Sequence, residues 1–392
     1  MWLTLADPDP QHNGQLIYSG GLIDGLASAG VAVEVIGLAR PENPRRFGEK
    51  EGNATWWLAP GRMRSRARSM FSTLPHMASR ASTAPLRKLL SDRLEQNWDA
   101  IVIDGLSAGW AAAGVAEYRR KHGARTKIAY ISHNHEPSLR SAVARSHPPG
   151  PMRAALAYDA LKVGRLERRI ISLADLVTAI TPEDRQLYAA QWPDTATGVL
   201  MPGYRSSAPG GGRAIASDRP RRAVIVGSFD WVAKRLNLQE FLAVADPLFA
   251  ASGVELQVVG SADPLFLERM RRHAMATEFT GKVDDVDRYM DQARMALVPE
   301  LHGGGFKLKV LDYVFRRLPI LAIHGSVAGM PLTQGESILY FRDHLSLAKG
   351  VVRVMDDFDR LNGLQESAIG RCRDQFDWRD RGAELRDMLA AA

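Results

Sequence analysis

The first half of the chain alternates short apolar runs with helix-length segments. The runs are rich in β-branched residues, and along the chain they read MWLTLAD, VAVEVIGL, NATWWLAP, DAIVIDGL, KIAYISH, LVTAIT and GVLMP. Short apolar runs of this kind are typical of strands that are buried on both faces of a sheet. Helix-length segments between successive strands favour parallel crossover connections. The pattern therefore predicts a parallel sheet with helices packed on it.

A second α/β region follows an interruption of this pattern. Between Gly203 and Arg222 the sequence GYRSSAPGGGRAIASDRPRR replaces the apolar periodicity with Gly, Ser, Pro and Arg, which is typical of a flexible connection. The alternation then resumes in AVIVGS, VELQVVGS, TEFTGK, MALVPE, LPILAI and SILYF. We predict a first domain at residues 1–204, a linker at 205–221 and a second domain at 222–370.

The last segment, residues 371–392, predicts an amphipathic terminal helix. Leu385, Met388 and Leu389 recur there at helical spacing. We expect this helix to pack back on the first domain.

Composition agrees with two α/β domains and narrows the choice of ligand. Of 392 residues, 45% are hydrophobic and 24% are charged, which is ordinary for a globular protein that is long enough to hold two cores. Lys and Arg outnumber Asp and Glu by 51 to 44. The resulting net charge of +7 suits an anionic ligand, an anionic membrane surface or nucleic acid.

The chain has one cysteine and no targeting or membrane-spanning signal. Cys372 alone cannot form an internal disulfide or a cysteine-built metal site, which fits a reducing compartment. The start MWLTLADPDP has no basic segment followed by an apolar run, and a run of about 18 apolar residues never occurs. We therefore expect a cytoplasmic protein that is neither secreted nor membrane-spanning.

A glycine-rich loop in PELHGGGFKLKVLDYVF carries candidate phosphate-binding groups. We predict that a strand ends at Pro299 and that a helix begins near Phe306 or Lys307. The first amides of a helix lack partners within it, and together with the helix dipole they favour a phosphate. Glycine lets a ligand approach the backbone, and lysine adds full positive charge. The residues concerned are Gly303, Gly304, Gly305, Lys307 and Lys309.

Two further side chains suit a nucleotide diphosphate. Asp312 lies one to two turns into the predicted helix, where its carboxylate is placed to accept hydrogen bonds from a ribose diol. Lys234 follows the strand in VIVGSFDWVAKRLNL, and ligands of open α/β sheets bind at the carboxyl ends of strands. The alternatives are a surface pair of Asp312 with Arg316 in the next turn, and a solvated lysine.

Several of these stretches together resemble a known enzyme family. GSFDW, FTGKVDDVDRYMDQARMALVPE, GGGFKLKVLDYVFRRLPILA and the late FDW resemble, in order and spacing, family 4 glycosyltransferases of GT-B architecture. Gly14, SHNHEPSLR and ADLVTAITPED are weaker similarities that extend the resemblance over nearly the whole chain. The resemblance implies an α/β protein with two Rossmann-like domains that face a central cleft. The first domain would bind the acceptor and the second the nucleotide-sugar.

The resemblance also implies which residues bind the donor sugar. Many family members carry two glutamates eight positions apart, of which the second binds ribose and the first binds the sugar. The second position is Asp312 here, and the first is Gly304, which has no side chain. We therefore expect backbone amides, Glu300 or His302 to hold the sugar hydroxyls.

Other assignments concern the diphosphate and the reacting sugar. The position of the family's phosphate-binding arginine is Ser228, and the matching lysine is Lys234. His133 follows the strand in KIAYISH, and by resemblance it would face the donor sugar as the catalytic residue. The complete set of candidate donor-binding residues is Gly14, Ser228, Lys234, Glu300, His302, Gly303, Gly304, Gly305, Phe306, Lys307, Lys309 and Asp312.

Metal and dinucleotide sites are weaker alternatives. His133, His135 and Glu136 are all metal-ligand types, but no further ligand is placed beside them. Asp7 and Asp9 form an Asp-x-Asp, whose interleaved prolines argue against a metal-binding motif. Neither VGSFDW nor VGSADP supplies the Gly-x-Gly-x-x-Gly of a dinucleotide site. We predict neither a metal nor a cofactor.

The segment from Gly61 to Leu90 carries seven basic residues among Met, Phe and Leu and contains no acid. A basic amphipathic surface binds anionic lipid, and the alternative is a solvated region. Nucleic acid is disfavoured because Phe71 is the only aromatic residue among the arginines. The basic residues are Arg62, Arg64, Arg66, Arg68, Arg80, Arg87 and Lys88.

The residues and the resemblance together predict a retaining glycosyltransferase, and a hexose is the expected sugar. The donor would be a UDP-sugar or a GDP-sugar, and the acceptor hydroxyl would attack from the front face. The acceptor would be a saccharide or a lipid-linked saccharide of polysaccharide or glycolipid synthesis, with peripheral contact at the inner face of the plasma membrane. The alternatives are a GT-B-like nucleotide-sugar epimerase and a catalytically silent relative that binds glycans or lipids.

Overall fold

The computed structural model describes residues 1–11, 13–61, 63–65, 69, 72–204, 213–229, 232–301 and 305–392. The chain divides into two compact units, each with its own sheet. Unit 1 comprises Met1–Gly203 together with Phe376–Ala392, and unit 2 comprises Tyr204–Gln375.

Unit 1 is built on an eight-stranded sheet in the order β3-β4-β2-β1-β5-β6-β7-β8. All neighbouring strands pair in parallel except β3 and β4, which are antiparallel. Each apolar run of the first half overlaps a strand, whereas the short polar strand β3 has no apolar pattern that predicts it. The strands are β1 (Trp2–Ala6), β2 (Val33–Leu38), β3 (Glu49–Glu51), β4 (Ala54–Ala59), β5 (Ala100–Asp104), β6 (Lys127–Ile131), β7 (Leu176–Ala179) and β8 (Ala196–Val199).

Helices cover this sheet, and side-chain caps fix where several of them begin. Asn13, Thr83 and Thr181 each accept a hydrogen bond from an amide of the first turn that follows. The helices are α1 (Gly14–Ser28), α2 (His76–Ala81), α3 (Ala84–Arg93), α4 (Ala112–His122), α5 (Glu136–Ser146), α6 (Pro151–Ile171) and α7 (Pro182–Gln191), with 3₁₀ turns at Leu106–Ala111 and Gly123–Arg125.

Unit 2 is built on a six-stranded parallel sheet in the order β11-β10-β9-β12-β13-β14. Its strands are β9 (Arg222–Val226), β10 (Glu255–Val259), β11 (Thr277–Gly281), β12 (Met295–Val298), β13 (Ile320–Ile323) and β14 (Leu339–Phe341). Its helices are α8 (Val232–Ser252), α9 (Pro264–His273), α10 (Asp287–Gln292), α11 (Leu308–Phe315), α12 (His344–Val354) and α13 (Phe358–Cys372). Within the described residues, no helix has both the length and the apolar content needed to cross a bilayer.

The second half of the predicted linker packs against unit 2 and does not form a flexible connection. Residues 205–212 lie outside the described part of the chain. Ile215 is buried, and Asn362 of α13 bonds both its amide and its carbonyl at 2.9 Å. Arg213 donates to the backbone carbonyl of Ala293. Polar composition suggested a mobile segment, but these contacts from distant residues hold it in place.

The C-terminal helix α14 (Trp378–Ala391) packs on α1 of unit 1. It begins later than the predicted residue 371, because the chain first completes α13 and Asp377 then caps the new helix by accepting from the Arg379 amide at 2.8 Å. A Cβ on Gly382 would lie 1.9 Å from the backbone carbon of Gly25. The two helices therefore cross at backbone-to-backbone distance, which requires glycine at the crossing.

Candidate functional site

The carboxyl ends of β9 and β10 in unit 2 meet through glycine. Gly260 has a positive φ of 137°, and a Cβ there would lie 1.8 Å from the carbonyl oxygen of Gly227. The loops after the two strands are thus in backbone contact, at the edge of a parallel sheet where ligands bind. Ser228 follows Gly227 directly and is exposed, in the position from which it can contact such a ligand.

The glycine-rich loop leads into α11, whose first residue is Leu308, slightly later than predicted. His302, Gly303 and Gly304 lie outside the described residues. Gly305 has a positive φ of 82°, a conformation that favours glycine. Lys307 occupies the N-cap position without a side-chain capping bond, so the first amides of α11 can bind a ligand. Phe306, just before it, is half-buried.

Two lysines lie beside one carboxylate at the start of α11, and a third lysine lies near them. Lys309 Nζ forms an ion pair with Glu300 Oε1, and both side chains are largely buried. Burial opposes ionisation of Glu300, but the charges of Lys309 and Lys307 hold its pKa below the ordinary value. Burial lowers the pKa of Lys307, Glu300 opposes that change, and Lys309 and Lys234 lower the pKa further. Lys234 lies in the first turn of α8, so the cluster joins α8, α11 and the end of β12. Among the described residues, Lys307 and Lys309 beside the single carboxylate of Glu300 leave an excess of positive charge.

The two carboxylate oxygens of Glu300 differ in their contacts. Within the described part of the chain, its Oε2 is buried and makes no hydrogen bond. The backbone on both sides of Glu300 is anchored, because His344 Nε2 bonds the Pro299 carbonyl at 2.8 Å and Asn237 Oδ1 accepts from the Leu301 amide at 2.9 Å. No local pattern predicts these two supports, since each lies on a distant helix.

Asp312 is half-buried on α11 and is held by Tyr204. Burial raises the pKa of Asp312 to about 6, and a hydrogen bond with the Tyr204 side chain opposes the rise. The Tyr204 ring in turn stacks on Phe315, with ring centroids 4.4 Å apart. Arg316 pairs with Asp287 and Asp291 of α10, so the alternative of a surface pair between Asp312 and Arg316 is not the arrangement found. Sequence reasoning missed Tyr204, which it placed at a domain boundary.

In unit 1, His133 is paired with a buried aspartate. His133 Nε2 lies 2.7 Å from Asp104 Oδ1, and the ring meets the edge of Tyr18 with centroids 5.2 Å apart. Burial alone would raise the pKa of Asp104, but the charge of His133 and its hydrogen bond lower it. Trp2 Nε1 also donates to Asp104 Oδ2 at 3.1 Å. The aspartate thus fixes the orientation of the imidazole, and its position at the end of DAIVID was the signal that could have found it.

Gly14 is the first residue of α1, close to the carboxyl end of β1. Asn13 Oδ1 accepts from the Leu16 amide at 3.1 Å, which fixes the start of the helix. The next side chain, Gln15, donates to Ser107 Oγ at 3.1 Å and links this loop to the turn after β5. Gly14 and His133 therefore belong to the same edge of the sheet in unit 1.

The three residues of the metal alternative contact different partners. His133 bonds Asp104, whereas His135 Nδ1 bonds Ser138 Oγ at 2.7 Å. Glu136 forms an ion pair with Arg140 at 3.0 Å. Their side chains are thus engaged in separate local contacts, and the geometry gives no support to a shared metal site.

A buried hydrogen-bond network supports the loop that carries His133 and His135. Glu167 Oε1 accepts from the hydroxyls of Tyr188 and Tyr130 at 2.8 and 3.1 Å. Ser132 Oγ bonds the Tyr188 hydroxyl at 2.7 Å and also donates to the Asn134 carbonyl. Burial raises the pKa of Glu167 to about 8, and the tyrosine hydrogen bonds oppose the rise. Sequence reasoning missed this network, because its members come from four separate elements.

The Asp-x-Asp near the N-terminus is part of a structural ion-pair cluster. Arg45 bonds Asp7 and Asp9, each at 2.6 Å, and its guanidinium lies 3.9 Å from the Trp56 ring centroid. Asn43 donates to the second oxygen of Asp7 at 3.0 Å. These contacts satisfy the carboxylates within the protein.

The basic segment from Gly61 to Leu90 is described in part. Arg62, Arg66 and Arg68 lie outside the described residues. Arg80 Nε donates to the Arg64 carbonyl at 3.0 Å, whereas Arg87 and Lys88 are on the exposed side of α3. Arg80 thus has a structural contact, and the other two present charge to solvent.

Two protein-family models together match most of the chain. The family described as "Glycosyl transferase 4-like domain" matches residues 13–203. The family described as "Glycosyl transferases group 1" matches residues 220–357. A search of the curated proteins finds no match.

Solved structures with the same fold cover the whole chain at low identity. Sucrose-phosphate synthase from Thermosynechococcus elongatus has a TM-score of 0.67 and 17% identity, with 100% of this chain and 99% of that chain covered. Anabaena HepE in complex with UDP and glucose has a TM-score of 0.63 and 12% identity, with 100% of both chains covered. The trehalose 6-phosphate synthase from Burkholderia multivorans has a TM-score of 0.60 and 12% identity, with 100% and 98% covered. The chain belongs to the glycosyltransferases, with a GT-B fold that resembles family 4.

Proposed function

We propose that the chain is a retaining glycosyltransferase that needs no metal and moves a sugar, with a hexose expected, from a nucleotide-diphosphate donor. The proposed acceptor is a saccharide or a lipid-linked saccharide, in cytoplasmic polysaccharide or glycolipid synthesis. The observation that carries the proposal is the pair of Lys307 and Lys309 beside Glu300 at the start of α11, with Lys234 close to Lys307. One carboxylate leaves excess positive charge beside free helix amides, and a diphosphate suits both.

The nucleotide would extend from this cluster along α11. Asp312 lies on the same helix, and its carboxylate is proposed to accept hydrogen bonds from the ribose diol. UDP is the first nucleotide to test, because HepE was solved in complex with UDP and glucose. GDP is the second nucleotide to test.

Glu300 is proposed to take the place of the side chain that Gly304 lacks. Its Oε1 is occupied by Lys309, whereas its buried Oε2 makes no hydrogen bond within the described residues. A buried carboxylate oxygen without a donor is costly, and a hydroxyl of the donor sugar would satisfy it.

The transfer step would be a front-face substitution. The bond between the anomeric carbon and the diphosphate oxygen breaks, and the acceptor oxygen bonds the same carbon on the same face. The acceptor proton passes to the departing phosphate oxygen. Lys234, Lys307 and the α11 amides would stabilise the charge that grows on the diphosphate. Glu300 is held by Lys309, which favours a binding role for it over that of a nucleophile.

Nucleotide titration tests the proposed donor site. Lys307→Met should weaken UDP binding by about 10- to 100-fold, since hydrogen bonds to charged groups contribute about 1.5–3 kcal/mol. Lys282→Met is the control, because Lys282 is an exposed lysine of the same unit. Equal UDP affinity in wild type and in a folded Lys307→Met protein would reject the site.

Product analysis tests the reaction itself. NMR of the product from an α-linked donor should show an α-linkage, and activity should survive chelation by EDTA. An inverted linkage would reject retention, and loss of activity that a divalent ion restores would reject metal independence. Conversion of the donor without any acceptor would instead indicate an epimerase.

A further inference from the structure

Helix α6 in unit 1 has an outward face that combines apolar and basic side chains. At 3.6 residues per turn, the members of this face fall within an arc of about 120°. Along the helix axis, the part of this face nearer the N-terminus is apolar and the part nearer the C-terminus is basic. We call it the α6 surface, and it consists of Ala154, Ala157, Tyr158, Leu161, Arg165, Arg168 and Arg169, all of them exposed.

The apolar half of the α6 surface is unusually open to solvent. Leu161 is 61% exposed and Tyr158 is 56% exposed, and Met152 at the start of the helix is 64% exposed. Large apolar side chains exposed together on one helix are typical of a surface that binds a partner or a membrane.

The charge of the α6 surface is entirely positive. The helix contains two acids, Asp159 and Glu167, and both are turned away from the surface. Asp159 accepts from the His76 amide at 2.8 Å, and Glu167 is buried in the tyrosine network. Within the described part of the chain, Arg165 and Arg168 form no ion pair, so their charge is available to an anionic partner.

The α6 surface is connected to the basic segment and to the histidine loop. The bond from His76 to Asp159 ties the start of α2, within the basic segment, to α6. Helix α5 begins directly after His135 and packs along α6. Attachment through α6 would therefore hold the edge of unit 1 that carries His133 close to the attached surface.

We propose that the α6 surface binds an anionic membrane, with Tyr158 and Leu161 in the interface and the arginines on lipid headgroups. An amphipathic helix of this composition lies in the plane of a bilayer, and arginine attracts anionic lipid. A nucleic acid is disfavoured as the partner, because the exposed side chain of Leu161 would make no favourable contact with it. The proposal rests on the proposed function in one respect: membrane attachment would bring the enzyme to a lipid-linked acceptor.

Vesicle sedimentation with paired variants tests the surface. Vesicles of phosphatidylcholine, with or without about a third of phosphatidylglycerol, are mixed with the full chain at low and high salt. The pair Tyr158→Ser and Leu161→Ser removes apolar contact and keeps the charge. The pair Arg165→Gln and Arg168→Gln removes charge and keeps the apolar contact. The control pair, Arg125→Gln and Arg185→Gln, makes the same charge change at exposed sites elsewhere on unit 1.

Wild type should bind the anionic vesicles and release them at high salt. The Tyr158 and Leu161 pair should weaken partitioning by about tenfold, and the Arg165 and Arg168 pair by about 10- to 30-fold, since one basic residue strengthens binding about fivefold. The control pair should partition to anionic vesicles nearly as wild type does. If the control pair weakens partitioning as much as the Arg165 and Arg168 pair, only net charge matters and the proposal is overturned.

Two other outcomes would also overturn the proposal. One is absence of wild-type binding to anionic vesicles, or equal binding to both vesicle types. The other is a wild-type dimer in solution that Leu161→Ser dissociates, since the surface would then bind a second copy of the chain. UDP titration of the same proteins separates the two proposals: intact UDP binding without vesicle binding rejects only the α6 surface.

Discussion

Replacing Glu167 by glutamine should reduce the pH dependence of the stability of unit 1. Burial raises the pKa of Glu167 to about 8 from the ordinary 4.5, so the native state holds a proton that the unfolded chain releases. The stability from this proton is fully present below about 4.5 and is lost as the pH rises to about 8. The difference corresponds to roughly 5 kcal/mol as an upper bound, at about 1.4 kcal/mol per pH unit.

Glutamine has the same shape and stays neutral, so its side-chain oxygen can keep accepting from Tyr130 and Tyr188. We expect Glu167→Gln to lose less stability than wild type between pH 5 and pH 9, by at least about 2 kcal/mol once solvent relaxation is allowed for. Urea unfolding followed by tryptophan fluorescence is suitable, because seven of the eight tryptophans lie in unit 1.

Glu95→Gln provides the matched control, because Glu95 is exposed in the same unit. Its pH profile should follow that of wild type. If Glu167→Gln and wild type lose the same stability between pH 5 and pH 9, Glu167 is already ionised at neutral pH in the native protein. The account of the buried network would then be wrong.

Two further predictions concern the α14 crossing and the proposed ribose contact. Gly382→Ala should destabilise the docking of α14 by about 1–3 kcal/mol or more and speed proteolysis within 376–392. Gly363→Ala is the control and should leave proteolysis unchanged, because no atom lies within 4 Å of a Cβ at that position. Equal cleavage of the two variants would contradict the tight crossing. UDP affinity should fall below pH 6 as Asp312 is protonated, and Asp312→Asn should lower the affinity at pH 8 by about 10- to 100-fold and flatten that pH profile. A pH profile unchanged in Asp312→Asn would exclude Asp312 from nucleotide binding.

The fold class followed from the local pattern because buried parallel strands need continuous apolar runs. MALV and ILAI, for example, are fully buried strands, β12 and β13, and the segments between strands are long enough to return the chain to the same edge. The same local logic predicted a helix after the glycine-rich loop, and Lys307 and Lys309 lie at its start. The apolar pattern did not predict β3, because its residues Glu49–Glu51 are exposed and polar.

The order of residues along the chain shows which side chains have the chemistry to bind a donor, whereas the packing of the chain sets the contacts that hold each of them. Lysines and glycines in one loop predict an anion site, but the pairing of Lys309 with Glu300 depends on where α11 packs beside β12. His133 at a strand end was visible, whereas its bond to Asp104 joins neighbouring strands that are separated along the chain. Burial, which raises the pKa of Asp312 and Glu167, is a property of the packed molecule, and no local pattern encodes it.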